Sequence, residues 1–305
     1  MSNVAAFVPL DLDTRQPPVL SHRDYKREAQ HHGDISIEPY APVLGARVTG
    51  FSFDANTSVD ESVRRFLYKA LLDYGFLSFV PGSIRDADFE TFTSLFGKAR
   101  FSGNPQAPRN SAKSEANAID SDHKRTRTNY IWHIDQAYRP SPQKFTALHA
   151  LKVPNRGGET LFANASAALS LLDPKFVSYL ETLSVIHDAD TQGLLSLAYQ
   201  DAQGLAEARA KNPPLEVPLI RIHPETGKQQ IFANELYAQR ILGVSRSVSD
   251  HLLGIIFDLI KLPEIGASYV WEEGAVLIWD NRVVQHRGVY NYDEQRRSLL
   301  RAVID

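Results

Sequence analysis

Cysteine is absent from this chain of 305 residues, and methionine occurs once. Disulfides, thiolate nucleophiles and zinc–thiolate sites are therefore excluded, and any metal must be held by histidine, carboxylate or water. An excess of positive charge is missing too: 33 Lys and Arg stand against 36 Asp and Glu, for a net charge of −3. That balance supplies no basic field to recruit nucleic acid or an anionic membrane, so a small-molecule partner is expected. No stretch approaches the roughly 18 apolar residues needed to cross a bilayer. The opening MSNVAAFVPLDLDTRQPP has no basic segment followed by a long apolar run, and a cytoplasmic location is expected. Internal repeats, a P-loop and the GxGxxG, HExxH and GxSxG patterns are also missing.

What is present is enough apolar material, 43% of residues, for one large core. Residues 1–34 are polar, proline-bearing and aperiodic and end in HRDYKREAQHHGD; they read as an N-terminal arm with His31 and His32 in solvent. A single domain is expected over residues 35–305. Within it ISIEPY, ARVTGFSF, FLSFV, FTALHALKV, ETLFANA, VPLIRIHP, GAVLIWD and RRSLLRAVI read as strands. Helices are expected over 58–74, where Val63, Phe66, Leu67, Ala70 and Leu71 share a stripe, over 86–96 before Gly97, within 165–183 and over 247–260. A loop-rich insertion would run through Pro214. Short strands spread along the chain with helices grouped between them predict a mainly β fold with helical insertions, a double-stranded β-helix or jelly roll. Residues 101–129 are polar and lack periodicity; they are either a lid or a solvated surface loop, and the basic cluster from His123 to Arg127 reads as a solvated charge run. Trp132, Trp271 and Trp279 read as core aromatics, Asp280-Asn281-Arg282 as a turn, and His149, His187, His223 and His251 as structural or exposed.

Chemistry concentrates in Trp132-His133-Ile134-Asp135. In a strand, residues two apart project from one face, so this imidazole and carboxylate would reach one ion. A third ligand must come from elsewhere. The candidate is His286, 151 positions beyond Asp135 and followed by Arg297 and Arg301. Two imidazoles and one carboxylate on a face form the triad of non-haem Fe(II) oxygenases, with positions open for a chelating cosubstrate and O2. Alternation along RRSLLRAVI sets Arg297, Leu299 and Arg301 on one face. Two arginines turned into a barrel are costly unless anions meet them, and the guanidinium is a permanent, forked donor suited to carboxylates.

Over WHIDQAYRPSPQKFTALHALKVPNRGGETLFA and LIWDNRVVQHRGVYNYDEQRRSLLRAVI the chain resembles the taurine dioxygenase (TauD/TfdA) family of Fe(II)- and 2-oxoglutarate-dependent oxygenases. IEPYAPVLGARVTGFSF, RIHPETGKQQIFAN and the W..GAV run before Asp280 extend the likeness over residues 35–304. The resemblance implies a catalytic jelly roll in which His133, Asp135 and His286 ligate iron. It implies that Thr160 of GGET and Arg297 hold the distal carboxylate of 2-oxoglutarate, and that Asn129 donates to 2-oxoglutarate or to substrate. Arg301 resembles the family arginine near the substrate's acidic group, so a sulfonate, an aryloxyalkanoate or another carboxylic acid is the expected substrate class. Gln136 and Tyr138 flank the metal segment, either facing the pocket or serving as ordinary packing. Ser102 and Pro105 stand where taurine-specific members carry a histidine and a tyrosine, which argues against taurine itself.

The reaction implied is hydroxylation of a C–H bond, with 2-oxoglutarate and O2 as cosubstrates and succinate and CO2 released. Two other readings use the same side chains. A zinc or manganese hydrolase would need neither cosubstrate, but no glutamate base of the HExxH kind accompanies the ligands. A jelly-roll binding protein would keep the ligands without turnover. No nucleic-acid or membrane partner is expected, and a homo-oligomer is left open.

Overall fold

Side chains that alternate across strands build two facing sheets. The computed structural model describes residues 27–101, 118–120, 129–193, 195–196, 199 and 201–305. Most of the 101–129 loop, with Ser102, Pro105 and the cluster from His123 to Arg127, lies outside the described residues, as do the first 26 residues of the arm.

The strands that open the chain are β1 (Gln30–His32), β2 (Ile35–Pro39), β3 (Ala46–Thr49), β4 (Phe76–Phe79), β5 (Ala99–Phe101) and β6 (Ala118–Asp120). The middle supplies β7 (Phe145–Lys152), β8 (Thr160–Asn164), β9 (Ser184–His187), β10 (Leu215–Pro218), β11 (Ile220–Ile222), β12 (Gln229–Ile231) and β13 (Ala238–Ile241). The last four are β14 (Gly266–Tyr269), β15 (Val276–Asp280), β16 (Val284–Gly288) and β17 (Ser298–Ile304). A nine-stranded sheet runs β1-β2-β3-β4-β15-β7-β17-β5, with β6 also paired to β17. A three-stranded sheet, β14-β8-β16, lies across its inner face, and β9, β10 and β13 form a third. Phe162 of β8 bridges the two main sheets, with ring centroids 5.0 Å from Phe76 of β4 and 5.5 Å from Trp279 of β15. This is the expected jelly roll, mainly β with helical insertions.

Alternation decides what each face carries. Along β15, Leu277 and Trp279 point into the inter-sheet core, while Val276 and Ile278 join the core on the opposite face. That outer core is closed by helix α1 (Glu61–Tyr74), capped where the Asp60 side chain accepts from the Ser62 N–H and ended by Gly75 at φ 78°. Its Leu67, Ala70 and Leu71 are buried, each leucine contributing roughly 1.5–3 kcal/mol of burial. Strands β7 and β17 follow the same rule. Phe145, Ala147, Leu300 and Ala302 face the helix, leaving Thr146, Leu148, Leu299 and Arg301 for the interior between the sheets.

Several expectations change in detail. Gln30–His32 pair with Ile35–Ile37, so the sheet begins inside the segment read as an arm. His32 stacks on Phe66 at 5.3 Å and meets Ser62 Oγ at 3.1 Å, and it is half-buried instead of solvated. Residues 86–96 form one α turn, Phe89–Thr93, between two 3₁₀ turns, because Thr93 and Ser94 return their hydroxyls to carbonyls three residues back. The 165–183 section breaks into Ala165–Ser170 and Pro174–Leu180, as Pro174 starts a new helix behind its Asp173 cap. The insertion read as loop contains the helix Ala202–Lys211, capped by Asp201.

Candidate active site

His133 and His286 are joined by a single antiparallel bridge, in which the His133 N–H donates to the His286 carbonyl at 3.0 Å and the reverse bond is 2.9 Å. This two-bond link brings together residues 153 positions apart. The strand expected for His-x-Asp is therefore reduced to one bridged residue. Chain after His133 turns at once, with Ala137 N–H on the Ile134 carbonyl and Gln136 at φ 54°. Asp135 shares the metal-facing side with His133 through this turn, not through strand alternation.

The three ligand atoms lie within 4.8 Å of one another. Asp135 Oδ1 is 3.6 Å from His133 Nε2 and 3.8 Å from His286 Nε2. His133 Nδ1 donates to the Ile131 carbonyl at 2.7 Å, which leaves the Nε2 lone pair bare toward the cleft. His286 is held by packing, its ring stacked on Phe162 at 5.9 Å and tilted against Trp279 at 4.7 Å. Its Nδ1 finds no hydrogen-bond partner among the described residues. Burial, reinforced by neighbouring His133, pushes the His286 imidazole down to about 3, so the ring is neutral at working pH and free to act as a ligand. Burial alone would favour a neutral Asp135. The Arg301 guanidinium, donating to it at 2.7 Å, instead holds its carboxyl well below the usual carboxylate range. Two imidazole nitrogens and one ionised carboxylate converging on one point fit a divalent cation.

Asp135 Oδ2 is turned away from the imidazoles and accepts from Arg301 and from Thr146 Oγ1, each at 2.7 Å. Arg301 thus braces the candidate metal ligand Asp135 while its side chain, 22% exposed, also lines the cleft. At the other end, Arg297 Nε donates to the Gly158 carbonyl at 3.1 Å and a terminal nitrogen donates to Thr160 Oγ1 at 3.3 Å. Burial lowers the Arg297 guanidinium from its ordinary value, as expected of a cation withdrawn from water. Thr160 begins β8 opposite Gly288 of β16, two residues past His286. Asn129 sits at the rim, its carbonyl accepting from the Gly288 N–H at 2.6 Å.

His133, Asp135, His286, Asn129, Thr160, Arg297 and Arg301 all line one cleft of about 620 Å³, counting the space open to solvent. Gln136 and Tyr138 do not line it. Tyr138 packs edge-on against Tyr237 with centroids 5.0 Å apart, the packing alternative of the sequence reading. Thr146, Trp271, Tyr290 and Tyr292 are additions that sequence reasoning missed. Trp271 was expected only as core, yet its indole N–H reaches Thr160 and its ring lies beneath Arg297. The two tyrosines fall in a GVYNY segment whose only signal was its place between His286 and Arg297.

Comparison with known proteins gives the same picture. The model of the "Taurine catabolism dioxygenase TauD, TfdA family" matches residues 36–303. The chain belongs to that family. It is a 2-oxoglutarate-dependent dioxygenase by that membership. An alkylsulfatase from Acinetobacter baylyi is 29% identical over 86% of this chain and 82% of its own length. An (S)-phenoxypropionate/α-ketoglutarate dioxygenase from Sphingobium herbicidovorans is 29% identical over 83% of this chain and 88% of its own. The fold matches the crystal structure of AAD-2 in complex with Mn(II) and N-oxalylglycine, with a TM-score of 0.72 and 24% identity over 88% of this chain and 96% of that one. No helix among the described residues is long and apolar enough to cross a membrane.

Proposed function

We propose that this chain is an Fe(II)-dependent dioxygenase that uses 2-oxoglutarate and O2 to hydroxylate a C–H bond of a small organic anion, a sulfate ester or aryloxyalkanoate being favoured. The observation carrying this reading is the placement of two arginines, Arg297 and Arg301, in one cleft with the His133–Asp135–His286 triad. An Fe(II) held there would supply the redox chemistry, in which 2-oxoglutarate, O2 and R–H become succinate, CO2 and R–OH, with one oxygen atom going to each organic product.

The chain's own residues do the positioning. Arg297 and Thr160 would hold the distal carboxylate of 2-oxoglutarate, since a buried guanidinium beside a hydroxyl is a charge-assisted clamp for that group. Arg301 would meet the acidic group of the substrate with the donors left over from Asp135, and a guanidinium has five N–H groups to divide between them. Asn129, at the rim, would donate to whichever of the two anions lies nearest. The names of the relatives support the choice of anion, one a sulfate ester processor and the other acting on an aryloxyalkanoate.

Succinate release by the Fe(II)-loaded protein, with 2-oxoglutarate and O2, should rise above the substrate-free background for at least one compound in a panel of sulfate esters, aryloxyalkanoates, sulfonates and acylated amino acids. Background release throughout, together with no anaerobic binding of 2-oxoglutarate to the metal-loaded protein, would overturn the reading.

A further inference from the structure

Asp135 is the one metal-site ligand with two chemically equivalent atoms, and the fold treats them differently. Oδ1 looks toward His133 and His286, whereas Oδ2 accepts from Arg301 and Thr146. Resting on the metal-site reading above, we infer that Thr146 is a positioning residue. Its hydroxyl commits one oxygen of Asp135 to the protein and so reserves the other for the metal.

The direction of every bond in this arrangement is determined. A hydroxyl has one proton and two lone pairs. Thr146 Oγ1 receives the Asn281 Nδ2 amide at 2.9 Å and the Gln143 Nε2 amide at 3.3 Å, so its proton is left for Asp135. The Asn281 amide is itself oriented, because its Oδ1 accepts from the Trp279 indole N–H at 2.9 Å. Donors therefore run one way, from Trp279 through Asn281 and Thr146 to the carboxylate. Thr146 is 0% exposed, Asn281 and Gln143 1% each and Trp279 2%, so no solvent competes with the relay.

Strand geometry explains why these residues meet. On β7, Phe145 and Ala147 take the helix-facing positions, which turns Thr146 inward. Its direct neighbour across β15 is Trp279, and Asn281 follows at the strand's end. Asp280 and Arg282 point the other way, into an ion cluster with His223 and Glu225 that anchors the same turn. A carboxylate rotated to present both oxygens to a metal would have to abandon Arg301 and Thr146 together.

Calorimetric titration of the metal-free full-length protein with Mn(II) tests this without reference to turnover. Thr146→Val, which keeps the shape and removes the hydroxyl, should weaken Mn(II) binding about 10–100-fold, the usual consequence of losing a group that orients a ligand. Thr146→Ser should bind like wild type. Thr93→Val is the control, since Thr93 is equally buried but spends its hydroxyl on the Glu90 carbonyl, away from the site. Both valine variants should melt earlier when metal-free, and only Thr146→Val should lose Mn(II) affinity. Should Thr146→Val not fold, Thr146→Ala carries the same comparison with Thr146→Ser. Mn(II) affinity unchanged in the variant lacking the hydroxyl overturns the inference while leaving the metal site intact. Failure of the wild-type protein itself to bind Mn(II) overturns the metal-site reading and this inference with it.

Discussion

Trp271 donates its indole N–H to the hydroxyl oxygen of Thr160 at 2.9 Å. Arg297 donates to that oxygen as well, at 3.3 Å, and its guanidinium lies 5.6 Å from the centre of the Trp271 ring. With both lone pairs of Thr160 taken, the hydroxyl proton is directed outward, where an incoming carboxylate would accept it. Trp271 thus orients one half of the proposed cosubstrate clamp and supports the other. Trp271→Phe keeps the ring beneath Arg297 and deletes the donor. The loss should be about 1 kcal/mol, which is roughly a 3- to 10-fold weaker affinity for 2-oxoglutarate. Anaerobic titration of the Mn(II)-loaded protein with 2-oxoglutarate measures it; equal affinities would remove Trp271 from the clamp.

Gly157 sits at φ +79°, and a Cβ there would lie 2.4 Å from Asn291 Oδ1 and 2.7 Å from the Asn291 carbonyl oxygen. The same Asn291 side chain accepts from the Gly158 N–H at 2.9 Å, so this contact fixes the loop that delivers the Gly158 carbonyl to Arg297 and leads into Thr160. Gly227 offers a comparison, with φ +71° and nothing within 4 Å of its notional Cβ. Gly227→Ala should cost about 1–2 kcal/mol, the strain of a left-handed alanine alone. Gly157→Ala carries the same strain plus a backbone clash. It should therefore lower the urea midpoint further and also weaken 2-oxoglutarate binding, which Gly227→Ala leaves alone. Matching losses in the two variants would mean that Asn291 yields freely and the GGET loop is not held by it.

The contrast between these residues and the triad explains what was legible in the sequence. That His133, Asp135 and His286 share one cleft was readable because few residue types suit a divalent cation and because Arg297 and Arg301 followed at an even spacing that turns both the same way. The sheets were readable from alternation, as GAVLIWD and RRSLLRAVI show by matching β15 and β17 nearly end to end. Thr146 was not, since a threonine inside FTALHALKV has no periodicity of its own and acquires its role only when β15 brings Asn281 beside it. The turn at Asp135 was likewise invisible. The sequence reading reached the right face of the site through strand alternation, whereas the fold reaches it through a bridge at His133 and a left-handed Gln136.

His187 supplies a pH dependence separate from the proposed metal ligands. It is fully buried, its Nδ1 donates to the Ala137 carbonyl at 2.9 Å, and its Nε2 has no hydrogen-bond partner among the described residues. Burial outweighs that hydrogen bond and pushes the imidazole down to about 4. The unfolded chain takes up the proton near 6.5, so between about 6.5 and 4 it binds more protons than the folded one. Stability is therefore complete above pH 6.5 and falls as the pH drops toward 4. By linkage this one group accounts for roughly 2 kcal/mol between pH 7.5 and pH 5. His187→Gln keeps an amide donor for Ala137 but cannot titrate, so its denaturation curves should change less over that interval than those of the wild type. Asp135 and Asp280, held low in the fold, lose their contribution only below the ordinary carboxylate range and do not mask the difference. Parallel pH profiles for wild type and His187→Gln would show that the ring is protonated in the fold without penalty.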